Sequence, residues 1–321
     1  MTRLAILDDY QNAAGRLVDW SQLGEAVEVV IFHERLVGDA LIEALGGFDI
    51  IVVMRERTVF SKAVLERLPR LRFIATNGMA NAAIDLVATK NLGILVSGTT
   101  SGLNSTVEMT WALILAAIKG VPRADASVRS GHWQGDLPRD LAGATLGLVG
   151  LGRLGSAMVP IAKAFALNVI AWSQNLTARR ADEVGVEVVT KADLMQESDI
   201  ISIHLRLSAR TTGLIGRPEF ALMRPHCVLV NTSRGPIVDE PAMIEALSRR
   251  QIGGAGLDVY DQEPVVPGHP LTKLENVVLS PHLGYASEAN LRAYLTASLE
   301  NVVAYLDGAP RQLLGGDAAS P

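Results

Sequence analysis

The sequence predicts a doubly wound α/β protein built on two parallel sheets. Short apolar runs alternate along the chain with longer stretches of helical period. Most of these runs are continuous, as in strands buried on both faces of a parallel sheet, rather than alternating. Twelve such runs are too many for one ordinary sheet, and 321 residues at roughly 150 per domain also gives two domains.

In chain order, strands are expected at residues 4–7, 27–32, 50–54, 72–75 and 94–96. A second group follows at 145–149, 168–172, 186–189, 199–204, 228–231, 256–259 and 277–280. Between the groups, the Gly-, Ser- and Thr-rich segment 99–107 gives way to an apolar helix over 108–119. Ser105 and Glu108 have the S-x-x-E spacing of a capping box, which satisfies two free amides at a helix start, so the crossing between domains is placed here. A return crossing is expected at 284–288, ahead of a helical run over 289–306. The Gly-, Pro- and Ala-rich tail, 308–321, is expected to be mobile. The domains so defined are 1–99 with 288–321, and 100–287.

Composition narrows the function classes. Lys plus Arg is 29 and Asp plus Glu is 34, a net charge of −5, which excludes a nucleic-acid binder driven by overall charge. A hydrophobic content of 49% excludes a disordered chain, and aromatics at 5% leave the core to Ala, Val, Ile and Leu. The single cysteine, Cys227, excludes an internal disulfide and a CxxC metal site, so no metal is expected and a reducing compartment is. Residues 1–9 (MTRLAILDD) enter a strand-like run directly, without the apolar core of a signal peptide. The longest strongly apolar run, 111–118, stops at Lys119 and is too short to cross a bilayer. The expectation is a cytoplasmic protein with neither a membrane nor a nucleic-acid partner.

Two places carry chemistry. Residues 150–155 (GLGRLG) follow the strand 145–149 at once and precede a helix over 156–166, which is the context a G-x-G-x-x-G loop requires. Gly150 permits the tight turn, Gly152 lets the backbone approach a pyrophosphate, and Gly155 lets helix and strand pack closely. The helix start adds unpaired amides and a positive dipole end. Pro160 falls inside that helix and is expected to cost about 3 kcal/mol unless a kink absorbs it. The strand 168–172 ends at Ser173, where an NAD site usually has a carboxylate for the ribose 2′-hydroxyl. Ser173 can bond a hydroxyl yet does not repel a 2′-phosphate; Arg179 and Arg180, nearby, read as a solvated helix face. The cofactor expected is a dinucleotide, NAD(H) ahead of NADP(H).

The second place is a set of three residues, each following a strand: Arg234 in NTSRGP, Glu263 before Pro264, and His282 in SPHLG. Open α/β sheets bind ligands at the carboxyl ends of their strands, and a guanidinium grips a carboxylate with two parallel bonds. The plainer alternatives are that Arg234 pairs with Asp239 on the surface and that Glu263 is an exposed turn carboxylate. His33, His132, His226 and His269 are assigned no role.

With these residues in view, the chain resembles the D-isomer-specific 2-hydroxyacid dehydrogenase family over nearly its whole length. The resemblance is carried by residues 148–155 (LVGLGRLG), 204–215 (HLRLSARTTGLI), 230–239 (VNTSRGPIVD), 255–264 (AGLDVYDQEP) and 279–284 (LSPHLG), in the family's order and spacing. It implies a Rossmann dinucleotide-binding domain inserted in a flavodoxin-like substrate domain. The activity implied is NAD(P)-dependent hydride transfer to and from a small 2-keto or D-2-hydroxy acid, for example glyoxylate or hydroxypyruvate. Arg234, Glu263 and His282 are implied as catalytic, with Arg55, Asn77, Gly78 and Met79 joining Arg234 and His282 around the substrate. Cofactor contacts are implied for Thr106, Gly150, Gly152, Arg153, Leu154, Gly155, Ser173, His204, Thr211, Thr232, Ser233, Asp258 and Gly284, with Asp258 by the nicotinamide carboxamide. A homodimer is implied that buries a helical face including 111–118. The chain departs from the family's GTGVDNID loop, reading GMANAAID at 78–85, and has Arg206 in place of a usual proline. A rival from another class is an NAD(H)-sensing binding protein of corepressor type, which can retain the same three residues with little turnover.

Overall fold

The computed structural model describes residues 1–100, 102 and 104–315, and each expected apolar run forms a strand in it. The first group gives β1 (Thr2–Ile6), β2 (Val27–Ile31), β3 (Ile50–Val53), β4 (Phe73–Thr76) and β5 (Leu95–Gly98). The second gives β6 (Thr145–Val149), β7 (Asn168–Trp172), β8 (Glu187–Val188), β9 (Ile200–Ile203), β10 (Val228–Asn231), β11 (Gly254–Leu257) and β12 (Val277–Leu279). The continuous apolar strands β3, β9 and β10 are buried at every residue, as covering a parallel sheet on both faces requires. β11 starts two residues earlier than its apolar pattern, at Gly254, a strand residue without a side chain, and ends at Leu257. A Cβ on Gly256 would press to 3.0 Å from Leu113, so the glycine admits the helix Asn104–Lys119.

The five-stranded sheet has the order β2-β1-β3-β4-β5 and the seven-stranded sheet β12-β11-β10-β9-β6-β7-β8, with parallel pairing throughout. The order reverses between β1 and β3 in one and between β6 and β9 in the other. Ligands of open α/β sheets bind outside the carboxyl ends at such switch points.

The chain divides into two compact units, Met1–Gly102 with Ser287–Pro321, and Leu103–Ala286. In the first, Leu45, Phe60 and Ile74 lie in one apolar core, and the helix Glu288–Leu306 packs on β4 through Tyr305, stacked on Phe73 with ring centres 4.4 Å apart. In the second, Trp111, Leu113, Ile114 and Ile118 of the helix Asn104–Lys119 are buried together with Leu146, Leu148 and Val230.

Several expectations are corrected. The helix after the first crossing begins at Asn104, so Ser105 is its second residue rather than its cap and no box forms with Glu108; residues 101 and 103 of that segment lie outside the described residues. The tail is tied down as far as residue 315, because β5 is an edge strand with groups to pair. The Gly98 amide donates to the Gln312 carbonyl at 2.9 Å and the Leu314 amide to that of Val96 at 2.8 Å, while residues 316–321 lie outside the described residues. The helix Arg153–Ala164 runs through Pro160. The face expected at a partner, Trp111 to Ile118, is largely spent on the unit's own core; the exposed apolar residues come next, with no residue buried in the helix Val121–Arg129 and with Trp133 and Leu137 exposed. Among the described residues no helix is long and apolar enough to cross a membrane.

Candidate active site

Register brings three loops side by side at the carboxyl edge of the seven-stranded sheet. Asn231 pairs with Leu257, and Leu257 with Leu279, so the chain leaves β10, β11 and β12 at one level. Asp258, the first residue past β11, is buried, and its carboxylate accepts the amides of Leu283 at 2.8 Å and Gly284 at 2.7 Å. A Cβ on Gly284 would lie 2.8 Å from the Asp258 Oδ2, so only glycine allows this clamp. The clamp fixes the loop that carries His282, whose backbone stands in the left-handed region at φ 55°. Burial pushes the Asp258 carboxyl up, and the Ser280 hydroxyl, the two amides and the nearby His282 only partly offset it.

His282 Nδ1 meets Glu263 Oε2 at 2.6 Å, with the ring largely buried and the carboxylate about one-third exposed. Glu263 Oε1 accepts the Tyr260 amide at 3.0 Å. Burial alone would raise the Glu263 carboxyl, but the bond and charge of His282, the Tyr260 amide and the charge of Arg234 outweigh it and hold it below the ordinary range. The reading of Glu263 as an exposed turn carboxylate is thereby excluded. The Tyr285 ring stands edge-on to His282, centres 5.8 Å apart.

Asn231 shapes the Arg234 loop: its Oδ1 accepts the Ser233 amide at 3.0 Å and its Nδ2 donates to the Arg234 carbonyl at 2.9 Å. Ser233 Oγ donates to the Ile203 carbonyl at 2.7 Å, and Arg234 Nη1 donates to the Ser233 carbonyl at 2.6 Å. Asp239, the surface partner considered for Arg234, caps the helix Glu240–Ser248 by accepting the Ala242 amide.

The glycine loop follows β6. Gly150 has φ 106°, and a Cβ there would lie 2.7 Å from the His204 carbonyl oxygen; one on Gly155 would fall onto the Gly150 carbonyl. A Cβ on Gly152 would meet nothing within 4 Å. The first and third glycines are therefore demanded by the protein's own packing, while the second faces open space where a ligand's phosphates can approach. His204 is set behind this loop, with Nε2 at 2.9 Å from the Ser202 hydroxyl and a buried Nδ1 that has no partner. Burial lowers its pKa to about 4, so the ring is neutral. The open side of Gly152 and the unpartnered ring nitrogen fit a dinucleotide.

Of the other expected cofactor residues, Thr232 bonds Thr110 at 2.8 Å, Thr110 donates to the Thr106 carbonyl at 2.7 Å, and the Thr106 methyl lies 3.7 Å from a Cβ position on Gly284. These residues come together beside Asp258. Leu154 packs on the core, and Arg153 is exposed. Ser173 follows β7 and is half-buried. Arg179 is solvated, as expected, but Arg180 is not simply so: it donates to Ser156 Oγ at 3.0 Å, in the first turn of the helix after the glycine loop. Thr211 is not brought to these residues by any bond of its hydroxyl, which closes its own exposed turn on the Arg206 carbonyl at 2.7 Å.

Arg55, Asn77, Gly78 and Met79 belong to the other unit, where they follow β3 and β4 at the carboxyl edge of its own sheet. Arg55 packs beside Gly78, whose amide donates to Thr99 Oγ1 at 3.1 Å. Asn77 is buried, with its Nδ2 at 2.7 Å from Met54 Sδ and its Oδ1 without a partner, while Met79 is half-exposed. Sequence reasoning missed the carboxylate and hydroxyl groups that stand beside the arginines of this segment. Tyr10 donates to Asp8 Oδ1 at 3.0 Å, Thr58 donates to Asp8 Oδ2 at 2.8 Å, and the Arg57 guanidinium lies 4.7 Å above the Tyr10 ring. The signal was an acidic pair, Asp8-Asp9, directly after an apolar strand.

A family model described as D-isomer specific 2-hydroxyacid dehydrogenase, NAD binding domain, matches residues 111–284. The chain is 43% identical over 256 residues to a glyoxylate reductase of Aeropyrum pernix, covering 76% of each. It is 37% identical over 278 residues to a glyoxylate reductase of Thermococcus litoralis, covering 84% of this chain and 83% of that one. A crystal structure of a phosphoglycerate oxidoreductase from Vibrio cholerae matches with TM-score 0.91 at 33% identity, covering 96% of this chain and 100% of the other.

Proposed function

The chain belongs to the D-isomer-specific 2-hydroxyacid dehydrogenase family, and from that premise we propose that the Arg234, Glu263 and His282 edge carries out its reaction on a short 2-keto or D-2-hydroxy acid. The observation that carries this reading is the 2.6 Å bond between His282 Nδ1 and Glu263. Glu263 takes the Nδ1 proton as a bond, which orients the ring, makes Nε2 the working nitrogen and offsets the charge of the protonated ring. His282 gives a proton to the substrate's C2 oxygen on reduction and takes it back on oxidation. Arg234 grips the substrate carboxylate through its planar fork and polarises the carbonyl as charge develops on its oxygen. A bound nicotinamide supplies or accepts the hydride at C2.

The Leu103–Ala286 unit is the dinucleotide-binding domain in this reading, and the other unit is the substrate domain. The loop 150–155 and the amides at the start of the following helix hold the pyrophosphate. Ser173 faces the ribose, and Thr106, Thr232, Ser233, Asp258 and Gly284 line the nicotinamide end. Arg55, Asn77, Gly78 and Met79 serve the substrate. NAD(H) is the preferred cofactor, and NADP(H) is accepted, since Ser173 does not repel a 2′-phosphate and Arg180 is held at the start of the phosphate-binding helix. Similarity to glyoxylate reductases favours glyoxylate as a substrate, and hydroxypyruvate is a further short keto acid of the same class. The chain works in the cytoplasm as a homodimer, its copies joined through the exposed segment with Val128, Trp133 and Leu137.

The test is a panel following nicotinamide absorbance, pairing NADH and NADPH with glyoxylate, hydroxypyruvate, pyruvate and bulkier keto acids. Turnover of at least one short keto acid is expected. NADH binding by fluorescence with no turnover of any acid in the panel would favour a sensing protein instead. Light scattering that gives the mass of one chain would end the dimer.

A further inference from the structure

A second carboxylate–histidine pair stands behind the first. Glu240 opens the helix Glu240–Ser248, directly after its cap Asp239, so its charge is favoured by the helix's positive end. Its side chain and that of His269 are both largely buried, 12% and 18% exposed. The Leu271 amide donates to His269 Nδ1 at 3.4 Å, which leaves Nε2 as the nitrogen that donates its proton to Glu240 Oε1 at 3.1 Å. The other oxygen of Glu240 accepts the Asp261 amide at 3.3 Å. The preceding amide, that of Tyr260, is the one that Glu263 accepts. Two carboxylates thus hold consecutive amides of one turn. The turn is also packed on the Arg234 loop, since a Cβ on Gly235 would collide with the Tyr260 carbonyl and the Asp261 amide.

We propose that Glu240, oriented by His269, is a positioning residue for the reaction: it anchors the turn from Tyr260 to Glu263, so that Glu263 meets His282. A capping role does not account for it. Asp239 already caps the helix, and the bonds of the Glu240 carboxylate reach residues 21 and 29 positions away. The arrangement also crowds Glu240 with Asp239 and Asp261. Burial and these two neighbours push the Asp261 carboxyl up, and His269 is the group that opposes them. A purely structural turn gains nothing by keeping three carboxyl groups together.

The proposal rests on the reading of Glu263 and His282 given above, and a double-mutant cycle separates the two. Glu240→Ala is expected to lower kcat for keto-acid reduction about tenfold, with the Kd for NADH by fluorescence titration changed less than about twofold. In a Glu263→Gln background the same substitution is expected to change kcat less than about twofold, since the residue it positions is already disabled. Glu240→Gln keeps an oxygen for the Asp261 amide and is expected to recover most of the loss. An equal loss in both backgrounds, a fall in NADH affinity alongside kcat, or an unchanged kcat in Glu240→Ala each overturns the positioning role alone. A Glu263→Gln enzyme with wild-type kcat and pH profile overturns the role together with the reading it rests on.

Discussion

The carboxyl edges of the two sheets occupy equivalent places in their topologies, yet they use their polar groups differently. At the five-stranded edge, Asp8 is spent on Tyr10 and Thr58, Asn81 on the Glu56 amide, and Thr99 on the Gly78 amide. Burial and the Asp8 charge push Tyr10 up to about 12, so it stays a donor at all working pH values. This edge carries Arg55 and Arg57 beside hydroxyl and carboxylate groups that are bonded to one another. At the seven-stranded edge, Asp258 clamps a loop through backbone amides, whereas Glu263 divides itself between an amide and an ionisable ring. Two carboxyl groups five residues apart are displaced in opposite directions, Asp258 up and Glu263 down. The lesson is that each edge spends a buried carboxylate on shape, Asp8 at one and Asp258 at the other, and that the histidine contacts differ. His33 approaches Asp9 Oδ2 at 3.5 Å at the five-stranded edge, whereas His282 bonds Glu263 at 2.6 Å at the seven-stranded one.

Substitution at each edge sharpens this contrast. His282→Asn preserves some hydrogen bonding but cannot shuttle a proton, so kcat is expected to fall by about 100-fold or more with NADH affinity retained. Arg55→Met, at the other edge, is expected to raise KM for the keto acid by about tenfold while kcat stays within a few-fold. Steady-state kinetics on the two variants checks both, and a kcat defect in Arg55→Met larger than its KM defect would break the division of labour.

Within the seven-stranded edge, the glycines divide in the same way. Gly152→Ala meets no protein atom within 4 Å, so thermal stability is expected to be unchanged while NADH affinity falls by about tenfold or more. Thermal melts with fluorescence titrations check it; a destabilised protein would place Gly152 in the packing instead of the cradle. A smaller effect is expected at Ser173, where Ser173→Asp shifts the kcat/KM ratio toward NADH by a few-fold, because a carboxylate accepts from the 2′-hydroxyl and repels a 2′-phosphate. An unchanged ratio would show that cofactor choice lies elsewhere.

Much of this was legible in the sequence because burial on both faces leaves continuous apolar runs, as in β3, β9 and β10. Arg234, Glu263 and His282 were legible as strand-following polar residues. The partners that hold them were less so. Asp258 reaches Gly284 across 26 residues, and Glu240 reaches His269 across 29, so only folding brings them together. His269 was passed over for that reason. The Ser105–Glu108 spacing misled because four-residue capping signals recur by chance inside helices, and this helix starts earlier. The tail looked mobile by composition, but the open edge of β5 offered it hydrogen bonds that composition does not encode.

The central claim is that an ionised Glu263 supports the proton donor, and the pH profile of Glu263→Gln tests it most directly. Because the Glu263 carboxyl is held below the ordinary range, its stabilising contribution is complete above about pH 4.3 and is lost only as pH falls through its folded value. Removing the carboxylate charge leaves the protonated ring uncompensated, so the pH at which keto-acid reduction fades is expected to fall by about one unit or more. A profile that stays in place, with the Glu263→Gln protein folded and binding NADH, would contradict the account.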